Sequence, residues 1–376
     1  MSGATPKVTW PQALAWRMER HLLEPIGQLS VADVVRRLCG VQAQVASSAE
    51  LAVRVRRQSS RPGEVARALA DGRLVKTWAM RGALHLLTPE EGGAFLALFA
   101  EARPWERPVW SRYYGMTPQR IQLLRRVVRE ELDGKVLTRE ELVAAVVKRR
   151  GLGKVGEALS SGWGTLLKPL AWQGDLVFGP SRGSRVTFML PEATSARWAG
   201  LPEPEEAARI AIRAYLAAYG PAGADAFGAW LSGGWFGKRK LRGWFDALGD
   251  ELAEVEVDGE RAFVMATDLD RLAGAQPTST VRLLGGFDQW VLGPGTADGH
   301  VTPAKRRPEV SKQSGWISPV VVAGGVVCGT WERESDEVRI TWFREAGRMP
   351  RHDIQAEVAR LSAMLDRDLR ATFRRA

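Results

Sequence analysis

The segment Glu251–Met265 reads ELAEVEVDGERAFVM, and it decides the fold class of this chain. Apolar residues alternate with polar ones on both sides of its central Asp258-Gly259 step. An Asp-Gly step between two such runs is a strong signal for a β-hairpin. Three segments with helical patterns precede it, at 205–219, 223–231 and 238–248. Three helices followed by a hairpin are typical of a winged helix-turn-helix, so we predict such a unit over 204–268.

The same plan of helices followed by a hairpin occurs twice more, earlier in the chain. The predicted hairpin strands are 73–80 with 83–87 in the first copy and 175–178 with 185–188 in the second. The second copy also contains predicted helices at 138–150 and 157–173. We therefore predict tandem winged units over 1–115, 116–191 and 204–268.

The remainder of the chain, 279–376, has a different pattern. Strand-like runs, among them Gln289–Leu292, alternate with turns up to Trp342, and glycine pairs mark turns or bulges. The last segment, 352–373, has apolar residues at helical spacing. We predict a small curled β-sheet or barrel closed by a C-terminal helix, which makes the whole chain an α+β protein.

The composition favours an anionic partner. The 376 residues carry a net charge of +10, with a pI of about 10.0, and 45% of them are hydrophobic. The basic residues cluster, which favours nucleic acid over a membrane surface. The sequence has neither an apolar run of membrane-spanning length nor a signal-peptide core, and its two cysteines lie in apolar contexts. These features predict a protein of a reducing compartment, the cytoplasm.

Gln42 and Gln44 alternate with apolar residues in a stretch where a buried segment would stay apolar. The Ser30–Asp33 pair can start a helix that Gly40 ends, and the Ser47–Glu50 pair predicts a capping box for the next one. If the connection between these helices is extended, both amides point to the same side. The pattern predicts either two amides facing a cleft or a turn with two solvated glutamines.

Other motifs carry little chemistry. Gly151–Gly156 matches G-x-G-x-x-G, but a charged helix rather than a strand precedes it, so a dinucleotide site is not predicted. The four histidines lack zinc-ligand spacing, and we expect no metal and no cofactor. His85 alternates with leucines and is predicted to be structural. His300 ends the glycine-rich loop 293–300 beside a basic run, where it could enter a DNA groove or remain a solvated loop residue.

Several stretches together resemble the winged-helix DNA-glycosylase family typified by AlkZ and YcaQ. The similarity spans nearly the whole chain, and its matching stretches are 40–44, Lys76–Leu86, Gly286-Phe287-Asp288 and 315–319. The chain is most similar to the AlkZ branch, whose signature is Gln–apolar–Gln. The YcaQ branch has an Asp where this chain has Gln44.

This resemblance implies a specific chemistry. Members hydrolyse the N-glycosidic bond of bulky N7-alkylguanines, and the AlkZ branch acts on interstrand crosslinks or large monoadducts in antibiotic self-resistance. It implies that Gln42 and Gln44 are the catalytic pair, and that a lesion-probing hairpin corresponds to 293–300. Because no lysine lies near the pair, we expect a monofunctional glycosylase without lyase activity.

The predicted partner is double-stranded DNA carrying an alkylated guanine, bound by a monomer at the nucleoid, with no role for a membrane. The residues predicted to hold phosphates are Arg54, Arg56, Arg57, Lys305, Arg306 and Arg307. The residues predicted to line the cleft are Arg81, His300 and Trp316. The alternative is a non-catalytic winged-helix transcriptional regulator, because winged helices serve transcription more often than base excision.

Overall fold

The computed structural model describes residues 5–376 and divides into two compact units. The first unit comprises residues 5–65, Ile212–Trp230 and Lys238–Ala376, and the second comprises Ala66–Ala211 and Leu231–Gly237. Within the described residues, none of the helices is long and apolar enough to cross a membrane.

The α-helices, in chain order, are α1 (Trp10–Arg20), α2 (Val31–Arg37), α3 (Ala46–Arg54), α4 (Glu64–Ala70), α5 (Pro89–Glu101), α6 (Pro108–Tyr114), α7 (Pro118–Leu132), α8 (Arg139–Val147), α9 (Gly156–Ser160), α10 (Leu167–Trp172), α11 (Pro204–Tyr219), α12 (Ala224–Ser232), α13 (Lys238–Asp246), α14 (Leu269–Ala273), α15 (Gln289–Leu292), α16 (Arg307–Val310) and α17 (Arg351–Leu365).

The strands, in chain order, are β1 (Lys7–Val8), β2 (Val41–Gln42), β3 (Val75–Trp78), β4 (Leu84–Leu87), β5 (Leu137–Thr138), β6 (Val177–Phe178), β7 (Thr187–Met189), β8 (Leu252–Val257), β9 (Glu260–Met265), β10 (Val281–Leu284), β11 (Val320–Ala323), β12 (Val326–Glu334), β13 (Glu337–Trp342) and β14 (Arg370–Arg375).

The hairpin predicted from the Asp-Gly step is present as β8 and β9. These strands are antiparallel, with Leu252 opposite Met265, and β1 adds to β8 in parallel. Asp258 and Gly259 both have positive φ angles, of 47° and 90°, as a type I′ turn requires. The preceding helices α11, α12 and α13 agree with the prediction for this copy, while the number of winged units remains a prediction.

The C-terminal sheet of the first unit is open, which corrects the barrel alternative. Within the described chain its five strands run in the order β10-β11-β12-β13-β14. The final helix also ends earlier than predicted, at Leu365, because Asp366 adopts a left-handed conformation with φ 53°. The remaining residues form β14, which pairs in parallel with β13.

Two further local predictions are corrected. Gln289–Leu292 is the helix α15 rather than a strand, because the Asp288 carboxylate caps it by accepting from the Trp290 backbone N–H at 2.8 Å. The predicted helix 157–173 is broken into α9 and α10 by a loop in which Gly164 has a φ of 69°. In the second unit, strands β4, β3, β6, β7 and β5 are hydrogen-bonded in that order.

Candidate active site

Gln42 and Gln44 lie on the short connection between α2 and α3. Val41 and Ala43 are buried, Gln42 is half-buried and Gln44 is exposed. This alternation is that of an extended segment, so the two amides point away from the side chains that anchor the loop. No hydrogen bond from either amide side chain is formed within residues 5–376, so both retain their donors and acceptors for a ligand.

The turn that leads into the pair is sharply defined. Ser30 caps α2 by accepting from the Asp33 backbone N–H at 3.2 Å, as predicted. After the helix, Cys39 and Gly40 have positive φ angles of 53° and 92°, which reverse the chain direction just before Val41.

The predicted Ser47–Glu50 capping box is wrong. Helix α3 begins at Ala46, and its N-cap, Val45, makes no side-chain cap. Glu50 instead accepts from the backbone N–H groups of Gly63, at 3.0 Å, and Val65, at 3.3 Å. The carboxylate that follows the glutamines most closely in sequence is therefore engaged in holding the chain after α3.

A buried tyrosine fixes the end of α2. The Tyr219 hydroxyl donates to the Leu38 carbonyl at 2.5 Å and lies 3.3 Å from Gln289 Oε1. Tyr219 is 1% exposed, so this contact is shielded from water. A Cβ atom on Gly293 would lie 1.9 Å from the tyrosine ring, so only glycine fits beside it. The end of α2, just before the glutamines, is therefore held by a residue 181 positions later in the chain.

A buried ion pair fixes the end of α3. Arg56 donates to both Asp288 oxygens, at 2.8 and 2.7 Å, and both side chains are 0% exposed. Arg56 also donates to the Ala52 carbonyl at 2.7 Å. Asp288 and Gln289 are adjacent in sequence, so one dipeptide contacts both anchors: Asp288 the Arg56 guanidinium after α3, and Gln289 the Tyr219 hydroxyl at the end of α2. We call this set, Tyr219, Arg56, Asp288 and Gln289, the bracket.

The surroundings of the bracket keep a histidine neutral. His21 stacks edge-on against Tyr219 and Trp290, at centroid distances of 5.3 and 5.1 Å. Burial, assisted by the positive charges of Arg56 and Arg17, lowers the pKa of His21 well below its ordinary value. His21 thus packs against the bracket without adding a charge.

The phosphate role predicted for two of three clustered arginines needs correction. Arg54 is buried and donates to Ser60 Oγ at 3.2 Å and to the Met364 carbonyl, while Arg56 belongs to the bracket. Arg57 is half-buried, pairs with Glu64 and donates to the Leu29 carbonyl at 2.9 Å. Arg54 and Arg56 are buried and donate to protein groups, so they stabilise the fold and do not reach phosphate. Arg57 is only half-buried, and its contact with phosphate remains a prediction.

His300 and Arg306, two residues predicted to contact DNA, are engaged by protein groups. His300 stacks on Trp10 at a centroid distance of 3.7 Å, and its Nδ1 atom lies 3.1 Å from the Asp298 carboxylate. Arg306 is engaged by Glu345 and Glu309, and these two carboxylates raise its pKa. Both side chains are therefore held by protein groups, and their contacts with DNA remain predictions.

Four predicted contact residues are exposed. Lys305, Arg307 and Arg81 are exposed, and Trp316 is 49% exposed, with its ring edge-on to Phe287 at 5.1 Å. Lys305, Arg307 and Trp316 belong to the first unit, whereas Arg81 lies in the β3–β4 turn of the second. Their contacts with DNA remain predictions.

Sequence reasoning missed Tyr219, Asp288 and Gln289 as residues that position the site. Gly286-Phe287-Asp288 was noted only as a matching stretch, although the signal was present there: the acid Asp288 follows Gly285-Gly286-Phe287 in a largely apolar region. In the part of the chain that the structure describes, no group of three or more His, Cys, Asp or Glu side chains could hold a metal ion.

Comparisons with known proteins agree with this fold. A family model described as DNA glycosylase AlkZ-like matches residues 35–364. The interstrand DNA cross-link repair glycosylase of Streptomyces sahachiroi is 49% identical over 357 residues, which cover 95% of this chain and 96% of that protein. The solved structure of Streptomyces sahachiroi DNA glycosylase AlkZ matches with a TM-score of 0.95 and 47% identity, over 98% of this chain and 100% of that one. These matches do not favour the alternative of a non-catalytic regulator.

Proposed function

Because the chain belongs to the AlkZ-like DNA glycosylase family, we propose that it hydrolyses the N-glycosidic bond of bulky N7-alkylguanine in DNA, with Gln42 and Gln44 as its catalytic residues. The observation that supports these two residues most directly is their pair of uncommitted amides on a loop whose two flanking helices are both anchored by buried contacts.

The chemistry of the lesion suits neutral side chains. An N7-alkylguanine already carries a positive charge, so the base leaves without protonation, and positive charge develops on the sugar. The amide oxygens of Gln42 and Gln44 can orient a water molecule toward C1′ and stabilise the cationic sugar. An amide is a poor base, so its contribution is position and electrostatics rather than removal of a proton.

The ionisable residues nearby fit a monofunctional mechanism. Glu50 is engaged by two backbone N–H groups, so it is not a free base beside the pair. The sequence has no lysine between Lys7 and Lys76, so the segment that carries the glutamines supplies no amine for a Schiff base with the sugar. We therefore propose hydrolysis without strand cleavage by a lyase step.

The proposed substrates are interstrand crosslinks and other large N7 adducts. The name of the Streptomyces sahachiroi relative assigns repair of interstrand DNA cross-links to that protein, which supports the first of these. We place the enzyme in the cytoplasm, at the nucleoid, acting as a monomer in self-resistance to a DNA-alkylating antibiotic. A net charge of +10 suits a partner as anionic as duplex DNA.

The test is release of alkylated base from duplexes carrying a single N7-alkylguanine or an interstrand crosslink, measured in single turnover. Gln42→Ala and Gln44→Ala should each slow release by about 10²–10³-fold, the loss typical of removing one preorganised polar group. Gln58→Ala is the matched control, since Gln58 is a surface glutamine that donates to the Ile26 carbonyl at 3.1 Å. Equal rates for the two site variants and the control would exclude the assignment.

A further inference from the structure

Trp163 is the most exposed large hydrophobic side chain in the described residues, at 81%. It lies between Gly162 and Gly164 in the loop that separates α9 from α10, within the second unit. Exposing an indole in water is unfavourable, at about 25 cal/mol per Å² of apolar surface. Such an exposed indole is a candidate contact for a partner.

The loop that carries Trp163 is held in a fixed shape. The Trp163 backbone N–H donates to Ser161 Oγ at 3.3 Å, and the Gly164 N–H donates to the Ser161 carbonyl at 3.0 Å. Arg139 also donates to that carbonyl. A Cβ atom on Gly164 would lie 2.5 Å from the Trp78 ring, so the backbone rests directly on this ring. The indole is therefore presented on a rigid support.

Two lysines lie near the pair of aromatic rings, Trp78 and Phe178, and the loop packs against the first of these rings. Trp78 contacts Phe178 at a centroid distance of 4.7 Å, and Lys76 Nζ lies 5.5 Å from the Phe178 ring centroid. Lys168 follows the loop in sequence, donating its backbone N–H to the Gly164 carbonyl at 2.8 Å. Its ammonium group lies beside the β3–β4 turn, 3.7 Å from the position of a Cβ on Gly82.

Neither lysine is neutralised by the protein. Lys76 and Lys168 are half-buried, and burial lowers the pKa of each. Among the residues that the structure describes, neither ammonium forms an ion pair or a side-chain hydrogen bond. Two partly desolvated cations without acidic partners favour binding of an anion, and the exposed indole on the loop that rests on Trp78 favours a planar group.

We propose that Trp163, Lys76 and Lys168 form a binding surface for a DNA strand in which a base is unstacked from its neighbours. The indole stacks on the displaced base, and the two ammonium groups bind phosphates of the same strand. This inference rests on the proposed function for the identity of the nucleic acid. It deepens that function by assigning a surface of the second unit to distorted DNA.

The experiment compares two unmodified duplexes, one fully paired and one with a two-nucleotide bulge containing 2-aminopurine. Trp163→Ala should bind the bulged duplex about tenfold more weakly, the loss expected for one base–aromatic stack. It should bind the paired duplex like the wild type and should not quench the 2-aminopurine fluorescence. Trp163→Phe should retain both affinity and quenching.

The lysines are tested by the salt dependence of binding. Lys168→Ala should weaken both duplexes and reduce the slope of log Kd against log salt by about 0.9, the value for one phosphate contact. Tyr113→Ala is the control, because Tyr113 is 79% exposed in the same unit but lies on α6. Wild-type affinity of Trp163→Ala for the bulged duplex, or an equal loss in Tyr113→Ala, would overturn the proposal.

The design separates this inference from the proposed function. No alkylated base is present, and no glycosidic bond is broken, so the binding results stand whether or not the wild type releases N7-alkylguanine. Conversely, a wild type that releases alkylated base while Trp163→Ala binds bulged DNA normally would leave the glycosylase assignment intact and reject the surface.

Discussion

Replacing one member of the Arg56–Asp288 pair is the sharpest test of how the candidate active site is held. Arg56→Met leaves the Asp288 carboxylate buried without its counter-charge. Asp288→Asn likewise leaves the Arg56 guanidinium buried without its counter-charge. Asparagine can still accept from the Trp290 N–H, which Asp288 caps at 2.8 Å. The Asp288→Asn change therefore removes the negative charge but keeps the helix cap, so its effect reports on the charge alone.

The expected cost follows from complete burial. Both side chains are 0% exposed, and their two N–O contacts are 2.8 and 2.7 Å. Removing one partner of such a pair costs about 3–5 kcal/mol, mostly because the other charge remains desolvated. The double variant, Arg56→Met with Asp288→Asn, leaves no isolated charge, so its cost should be well below the sum of the two single costs.

The free energy of unfolding is measured by urea denaturation of the four proteins, with release of alkylated base in single turnover measured in parallel. At a temperature where each variant is folded, we expect slower release with nearly unchanged DNA affinity, since displacement of a catalytic group by about 1 Å can cost about 10²-fold in rate. Asp175→Asn is a matched control, because Asp175 is a buried carboxylate paired with Arg125 at 2.6 Å in the second unit. Additive costs in the double variant, or an equal loss of rate in Asp175→Asn, would refute the reasoning.

Three further predictions concern the same architecture. Tyr219→Phe removes the hydroxyl that donates to Leu38 at 2.5 Å, and it should cost about 1–3 kcal/mol of stability and slow base release without weakening DNA binding in an anisotropy titration. Gly293→Ala should lower the melting temperature, because its Cβ would lie 1.9 Å from the Tyr219 ring, whereas Gly299→Ala, with open space around it, should not. Burial lowers the pKa of His85 from 6.5 to about 3, so between these two pH values the imidazole is protonated in the unfolded chain and neutral in the folded chain. The free energy of unfolding that depends on neutral His85 is therefore fully present above pH 6.5 and lost as pH falls toward 3. In urea titrations, the fall in the free energy of unfolding between pH 7.5 and 5 should be about 2 kcal/mol smaller for His85→Gln than for the wild type.

The third helix-and-hairpin copy was predictable because its signals are local. The Asp258-Gly259 turn requires two positive φ angles, and few dipeptides other than Asp-Gly or Asn-Gly supply them readily. Helices α11 to α13 likewise follow from their own apolar spacing. Where the outcome depended on one capping residue, prediction failed: Asp288 converts an apolar run into α15, and Asp366 ends α17 before β14.

The glutamines were visible in the sequence because polar residues interrupt an apolar stretch at a spacing of two. The bracket was not, because Arg56 and Asp288 are 232 residues apart in the chain and either alone resembles a surface charge. The same ambiguity explains the error at Arg54 and Arg56. A cluster of arginines at the end of a helix has the sequence pattern of a phosphate-binding surface, and only the buried partners distinguish a structural cation from a DNA ligand.

The bracket and the neutral amides are linked by one physical requirement. A carboxylate or histidine can gain catalytic strength from a shifted pKa, whereas an amide does not ionise near neutral pH and can contribute only through the placement of its dipole. Gln42 and Gln44 lie on the short connection between α2 and α3, so any motion of these two helix ends moves the amides. Anchoring the preceding helix through Tyr219 and the following one through Arg56 restricts that motion before DNA binds. If the amides act by placement, loosening either anchor must reduce the rate of base release more than it reduces DNA affinity.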